Sequence, residues 1–247
     1  MKPGESCGCF PTGRHYPGIA HLVRVRSGGV VEELDPDAPW ASHAIAFIDV
    51  ETTGTDPASD RIVELAVVIG QGAEVRERAS WLVNPGVPIP EQATKVHGYT
   101  DADVAGRPAF AEIVIEVADR LRGAIPAAYN APFDRGFLVA ELERAGIELD
   151  PLPPALRPEV EWLDPLVFAR ELHDQRQGGR SLGEVSRRLG IKLEQAHQAT
   201  ADAEAALQVL YAFGKDPRVP TGYAALVQEQ RRLGRAQEQA RRLWRKG

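Results

Sequence analysis

Five apolar residues, Ala44-Ile45-Ala46-Phe47-Ile48, run directly into Asp49-Val50-Glu51-Thr52-Thr53-Gly54. A short apolar run of this kind is the pattern of a strand buried on both faces of a sheet. Side chains alternate along a strand, so Asp49 and Glu51 point the same way. Two carboxylates at the end of a hydrophobic strand repel each other unless a cation joins them. Oxygen ligands of this type suit magnesium or manganese. The plainer alternative is a solvent-facing strand end with two unrelated acids.

Two further segments carry chemistry at a similar place in the pattern. Asn130-Ala131-Pro132-Phe133-Asp134 lies between an apolar run (Ala124 to Tyr129) and an amphipathic stretch closed by Gly146. Asp134 in a first helical turn also serves simply to balance the helix dipole, and Asn130 also serves as a turn or cap residue. His197-Gln198-Ala199-Thr200-Ala201-Asp202 precedes the apolar helix pattern of Ala199 to Phe213. A separation of five places two side chains on different faces of one helix, so His197 and Asp202 converge only if His197 is in the preceding loop. A surface histidine beside a helix N-terminal acid is the alternative.

Taken together, the three segments place each acid at the end of an apolar element, where a sheet can gather them. A group of three or four carboxylates costs on the order of several kcal/mol unless divalent metal neutralises it. The implied chemistry is phosphodiester hydrolysis: acids hold two metal ions at a scissile phosphate, water attacks in line, and a base removes its proton. The unperturbed histidine pKa, near ~6.5, suits His197 for that last task.

The remaining pattern supports a sheet with helices on its faces. Arg61 to Ile69 and Ala73 to Val83 read as strands joined by a turn at Gly70-Gln71-Gly72. Pro108 to Arg122 and Pro132 to Ala145 read as helices, and Glu161 to Leu163 as a short fifth strand. Helices are then expected over about 165–172, 181–189 and 199–213, with a last one from Tyr223 to Trp244. Three strands in a meander, then strand alternating with helix, make a mixed sheet.

The chain has 247 residues, 43% of them hydrophobic and 26% charged, which suits one catalytic-sized domain with extensions and excludes disorder throughout. Residues 1–40 read as an N-terminal extension containing a possible hairpin around Ser27-Gly28-Gly29. Residues 41–214 read as the catalytic body and 215–247 as a basic helical tail. No run of 18 apolar residues signals a membrane helix, and MKPGESCGCF lacks the apolar core of a secretion signal, so a cytoplasmic location is expected. Cys7 and Cys9 are too few for a disulfide framework or a four-cysteine zinc site.

The motifs FIDVETTG, NAPFD and HQATAD resemble, in order, the three exonuclease motifs of the DnaQ-like, DEDDh-type 3′–5′ exonucleases. This is the family of the proofreading subunit of bacterial DNA polymerase III and of ribonuclease T. The resemblance extends over roughly residues 44–213 and includes RIVELAVV and VNPGVPIPEQATKVHGYTDADV. It implies a ribonuclease H-like α/β fold with a five-stranded mixed sheet flanked by helices. It also implies metal ligation by Asp49, Glu51, Asp134 and Asp202, two Mg2+ or Mn2+ ions, and His197 as general base. The spacing of His197 and Asp202 is that of the histidine subclass. Substrate contacts are expected from Thr52, Thr53 and Gly54, where glycine lets a base approach closely, and from His97, Asn130 and Phe133. His97 is equally readable as a loop histidine bonded to backbone, and Phe133 as plain core.

The expected activity is release of nucleoside 5′-monophosphates from single-stranded or frayed DNA 3′ ends, with proofreading beside a DNA polymerase in trans as one setting. The alternatives are an RNA-trimming enzyme or oligoribonuclease of the same fold, and a non-catalytic module binding nucleic acid or a polymerase. The formal net charge of −6 is unevenly spread. Nine basic residues against three acids from Gly214 to Gly247 give +6, which leaves −12 for residues 1–213. The basic tail suits phosphate contacts, a helical docking segment or a solvated helix. The acidic body makes nucleic-acid binding dependent on divalent metal. Oligomeric state is not legible, although likeness to ribonuclease T admits a dimer.

Overall fold

The computed structural model describes residues 28–173, 178–193 and 198–244. Cys7, Cys9, the first half of the possible hairpin and His197 lie outside the described residues. Four strands form the sheet: β1 (Ile45–Thr52), β2 (Ile62–Gln71), β3 (Glu74–Leu82) and β4 (Ile125–Ala127), in the order β3-β2-β1-β4. β1 pairs antiparallel with β2 and parallel with β4, so the sheet is mixed. The helices are α1 (Glu91–His97), α2 (Asp101–Val104), α3 (Phe110–Leu121), α4 (Ala131–Ala145), α5 (Pro165–Leu172), α6 (Leu182–Leu189), α7 (Ala199–Phe213) and α8 (Tyr223–Trp244).

Alternation along β1 sorts the core into two layers. Ile45 and Phe47 face one cluster with Ala203, Ala206, Leu207 and Leu210 of α7 and Tyr223, Leu226 and Val227 of α8. Ala46, Ile48 and Val50 face the other, with Phe110, Ile113, Val114 and Val117 of α3 and Phe137 and Leu138 of α4. Both faces are covered, which is why this strand is apolar without a break until Asp49. The same parity then sends Asp49 and Glu51 toward α7.

The expected fifth strand is corrected to a single bridge. Leu163 pairs with Ala127 alone, donating its amide to Pro126 O and accepting from Ala128 N. The segment cannot lengthen at either end. Val160 closes a turn onto Arg157, while Asp164 caps α5 and Pro165 begins it. The second half of the possible hairpin, residues 30–34, is also not a strand. Leu34 N turns back to Val31 O, and Val31 is buried with its amide donating to the Tyr223 hydroxyl.

The β2–β3 turn sits one residue beyond its expected place. Gln71 opposes Glu74, and Gly72 and Ala73 both have positive φ, 64° and 66°. That is the backbone a two-residue primed turn requires. Much of α8 is fastened to the body: Tyr223, Leu226, Val227, Gln230 and Leu233 are buried. Among the described residues no helix is long and apolar enough to cross a membrane.

Candidate active site

β1 ends where its apolar run ends, and α7 begins opposite. Carboxylate oxygens of Asp49, Glu51 and Asp202 lie within 4.8 Å of one another. Asp202 occupies the first turn of α7, where the helix dipole favours an anion. Asp134, in the first turn of α4, is buried beside this group but is not one of the three acids within 4.8 Å; its Oδ1 accepts the Val50 amide at 3.1 Å. The Asp49 carboxyl is held well above the usual carboxylate range by burial and then by Asp134, Asp202, Glu51 and Glu64. Burial, with Asp202 and Glu64, pushes Glu51 up to about 8. Burial foremost raises Asp134 too, with Asp164 and Glu51 adding to it against the backbone amides that the carboxylate accepts.

Glu64 is a further acid of this cluster that motif reading did not single out. It faces Glu51 across the β1–β2 ladder and is 7% exposed. Its Oε2 accepts the Tyr99 hydroxyl at 3.1 Å and the Ala199 amide at 3.3 Å, so it ties the start of α7 to the sheet. Burial raises it, and Tyr99 in turn is pushed up to about 12 by its own burial and by Glu64. The available signal was a lone acid inside the otherwise apolar run from Ile62 to Val68.

These acids fit divalent metal. The donors are all oxygen, the three oxygens fall within one ion's reach, and no Lys or Arg pairs with Asp49, Glu51, Glu64 or Asp134 among the described residues. Buried carboxylates in such a group need a cation or protons.

The loop after β1 is fixed by its own bonds. Thr52 and Thr53 are buried; Thr52 Oγ1 donates to Gly54 O at 2.5 Å, and Thr53 Oγ1 accepts Arg61 N at 3.0 Å. A side chain at Gly54 would clash with the Asp60 carboxylate, so Asp60 holds the space that glycine leaves. His97 is buried at the end of α1, its Nδ1 accepting the Tyr99 amide at 3.1 Å, and burial lowers its pKa despite the Thr52 backbone beside it. Phe133 is half-buried, its ring 4.9 Å from Phe137.

Asn130 has left-handed backbone (φ 72°), which asparagine tolerates. Its amide and that of Ala131 donate to buried Asp164, at 3.0 and 3.3 Å. Asp164 N donates to Gln230 Oε1 at 2.7 Å, and Gln230 Nε2 to Trp162 O at 2.8 Å. Through this relay α8 holds the turn that launches Asp134. Asp164 and Gln230 were also missed, since each sits in a local pattern that looks like an ordinary cap and a surface helix.

The model of the family described as exonuclease matches residues 46–210. The chain belongs to the exonuclease family. It is a DnaQ-like 3′–5′ exonuclease domain by that match and by its relatives. DNA polymerase III PolC-type of Streptococcus suis is 30% identical over 217 residues, 84% of this chain but 14% of that protein. The PolC-type enzyme of Streptococcus thermophilus is 32% identical over 168 residues, 68% of this chain and 11% of that protein. The domain therefore spans about a seventh of the length of such relatives. Escherichia coli exonuclease I in complex with a dT13 oligonucleotide shares the fold, with a TM-score of 0.61 at 20% identity over 71% of this chain and 42% of that one. Exonuclease X in complex with 5′ overhanging duplex DNA does so with a TM-score of 0.57 at 24% identity, over 74% and 98%.

Proposed function

We propose that this exonuclease domain is a divalent-metal-dependent enzyme that removes nucleoside 5′-monophosphates from single-stranded or frayed DNA 3′ ends. The observation that carries the reading is the meeting of the Asp49, Glu51 and Asp202 oxygens within 4.8 Å at the end of a buried sheet. Asp49, Glu51, Asp134 and Asp202 hold two Mg2+ or Mn2+ ions. Bound there, the ions supply Lewis-acid polarisation of the scissile phosphate and a water of lowered pKa. His197 takes the proton from the attacking water. The leaving 3′-oxygen of the preceding nucleotide is then protonated from solvent. The backbone of Thr52, Thr53 and Gly54, with Asn130 and His97, positions the terminal nucleotide, and Phe133 packs beneath it. Glu64 keeps α7, and so Asp202, in register with β1.

We assign the catalytic unit to residues 41–214, with 1–40 and 215–247 as attachments. The PolC-type relatives, which hold the matching segment within a much longer polymerase chain, support a setting beside a DNA polymerase; we place that polymerase in trans and the setting in the cytoplasm.

The test uses 5′-labelled DNA and RNA strands of matched sequence, either single-stranded or annealed to a longer template with a paired or a mismatched 3′ end, in magnesium. The expected result is a ladder shortening from the 3′ end, fastest on mismatched DNA, abolished by chelation and by Asp49→Ala or His197→Ala. Shortening of RNA alone reassigns the substrate. Absence of any metal-dependent shortening by the wild-type chain overturns the enzyme reading.

A further inference from the structure

α5 and α8 lead away from the candidate site side by side. Asp164 contacts Gln230 at the start, and Val167 O accepts Gln237 Nε2 at 2.9 Å further on. From Asp164 to Arg170 the path along α5 is about 9 Å. At its far end a groove is lined by Arg170, Arg180, Gln237, Arg241 and Trp244.

Three features set this groove apart from ordinary arginine-rich surface. Most described arginines on the molecule are engaged by acids, as in Arg78–Glu204, Arg157–Glu33, Arg231–Glu161 and Arg232–Glu229. Arg170, Arg180 and Arg241 make no ion pair within 4 Å among the described residues, and although single arginines elsewhere are also unpaired, only here do three line one groove among those described. They crowd one another instead: Arg170 is lowered by burial and by Arg241 and Arg180, with only Asp164 and Tyr129 opposing. Secondly, Trp244 is 86% exposed beside them, the most exposed large apolar side chain among the described residues. Thirdly, the cluster is joined to the site. The Tyr129 hydroxyl donates to Arg180 O at 2.7 Å, and Tyr129 immediately precedes the Asn130 turn from which α4 and Asp134 start. Arg180 Nη2 in turn donates to Arg170 O and His173 O.

We propose that this groove is the track for the nucleic-acid strand behind its 3′ end, with Arg170, Arg180 and Arg241 meeting phosphates and Trp244 stacking on a base. Uncompensated guanidinium groups beside an exposed aromatic are the combination that binds single strands without sequence preference. Divalent ions in a carboxylate-lined site attract the phosphate at the cleaved end, so attraction along the rest of the strand has to come from a neighbouring surface. The inference rests on the exonuclease reading for its substrate, and its test separates the two.

Arg241 and Trp244 are exposed, so Arg241→Glu and Trp244→Ala leave the core untouched. Arg232→Glu makes the same charge change at an exposed residue of α8 that is already bonded to Glu229. Two readouts are compared. One is the ratio of kcat/KM on a single-stranded oligothymidylate of about twenty nucleotides to that on the p-nitrophenyl ester of thymidine 5′-monophosphate. The other is equilibrium anisotropy of the same oligonucleotide made non-hydrolysable by phosphorothioate linkages, over a salt series. Arg241→Glu is expected to lower the ratio about tenfold and to reduce the salt slope by about 0.7. Trp244→Ala is expected to weaken binding about tenfold with the slope unchanged, and Arg232→Glu to change either readout less than about twofold. Equal binding and equal ratios in wild type and both groove variants overturn the track. Loss of binding in the groove variants of a chain that hydrolyses neither substrate upholds the track and overturns the exonuclease reading alone.

Discussion

Two places in this molecule bury carboxylates, and they are settled in opposite ways. Glu141 of α4 is 2% exposed and saturated: Arg61 Nε and Nη2 meet its two oxygens at 2.6 and 2.9 Å, Arg144 lies at 3.4 Å, and the Ile62 amide donates to it. At the other place Asp49, Glu51, Glu64 and Asp134 share a sheet end with no Lys or Arg paired to them among the described residues. The chain has 24 arginines to draw on and places two at the acid that joins α4 to β2. An arginine at the second place would fill the position a divalent ion needs and would fix its charge permanently. Leaving the acids unpaired keeps the centre loadable, at the expense of repulsion when it is empty.

The largest effect that sharpens this contrast is expected from Asp49→Asn. Removing one ligand should cut metal-dependent 3′ shortening about 10³-fold, the equivalent of about 4 kcal/mol of charge stabilisation. It should also leave the metal-free protein at least as stable, because a repelling charge is gone. Calorimetric melting beside single-turnover rates checks both halves; a large drop in metal-free stability would mean that the cluster is structural.

Arg61→Ala should do the reverse. It leaves Glu141 buried with Arg144 as its one remaining cation and should cost about 3 kcal/mol by urea denaturation. Metal affinity should change much less. A variant that loses metal binding in proportion to stability would erase the distinction between the two places.

The third consequence is a pH dependence of the empty protein. The folded-state pKa of Glu51 is about 8 against 4.5 in its absence, and Asp49, Asp134 and Glu64 are raised too. The folded state then binds these protons more tightly than the unfolded chain. The Glu51 contribution is complete below about pH 4.5 and is lost as pH rises through about 8, and the other three acids act in the same direction. The melting temperature without metal should fall between those limits, and magnesium should restore more of it at the alkaline end. A flat or rising profile would contradict the arrangement. The smallest effect is expected from Tyr99→Phe, which removes one donor from Glu64 and should cost about 1 kcal/mol.

The sequence made the strand that carries Asp49 and Glu51 readable because burial on both faces leaves a local signature. The same holds for α4, α7 and α8, whose ends are marked by Gly146, by the first-turn Asp202 and by the apolar stripe through Leu226 and Leu233. Glu64 stayed hidden because its importance lies in being opposite Glu51, and cross-strand register is not local. Asp164 and Gln230 stayed hidden for a similar reason, since their partners are 34 and 66 residues away. The fifth strand was placed at the right residue, Leu163, but its length was overestimated. The cap at Asp164 and the turn at Val160 compete with pairing on both sides.

The central claim is that the unpaired acids form a divalent-metal centre. Titration of Mn2+ into the metal-free chain near neutral pH, by calorimetry in buffers of different ionisation enthalpy, tests it most directly. The account predicts saturable binding accompanied by proton release, because Glu51 and its neighbours are partly protonated when empty, and at least about tenfold weaker binding in Asp49→Asn. Equal Mn2+ affinity in the two proteins, or binding with no release of protons, would contradict it.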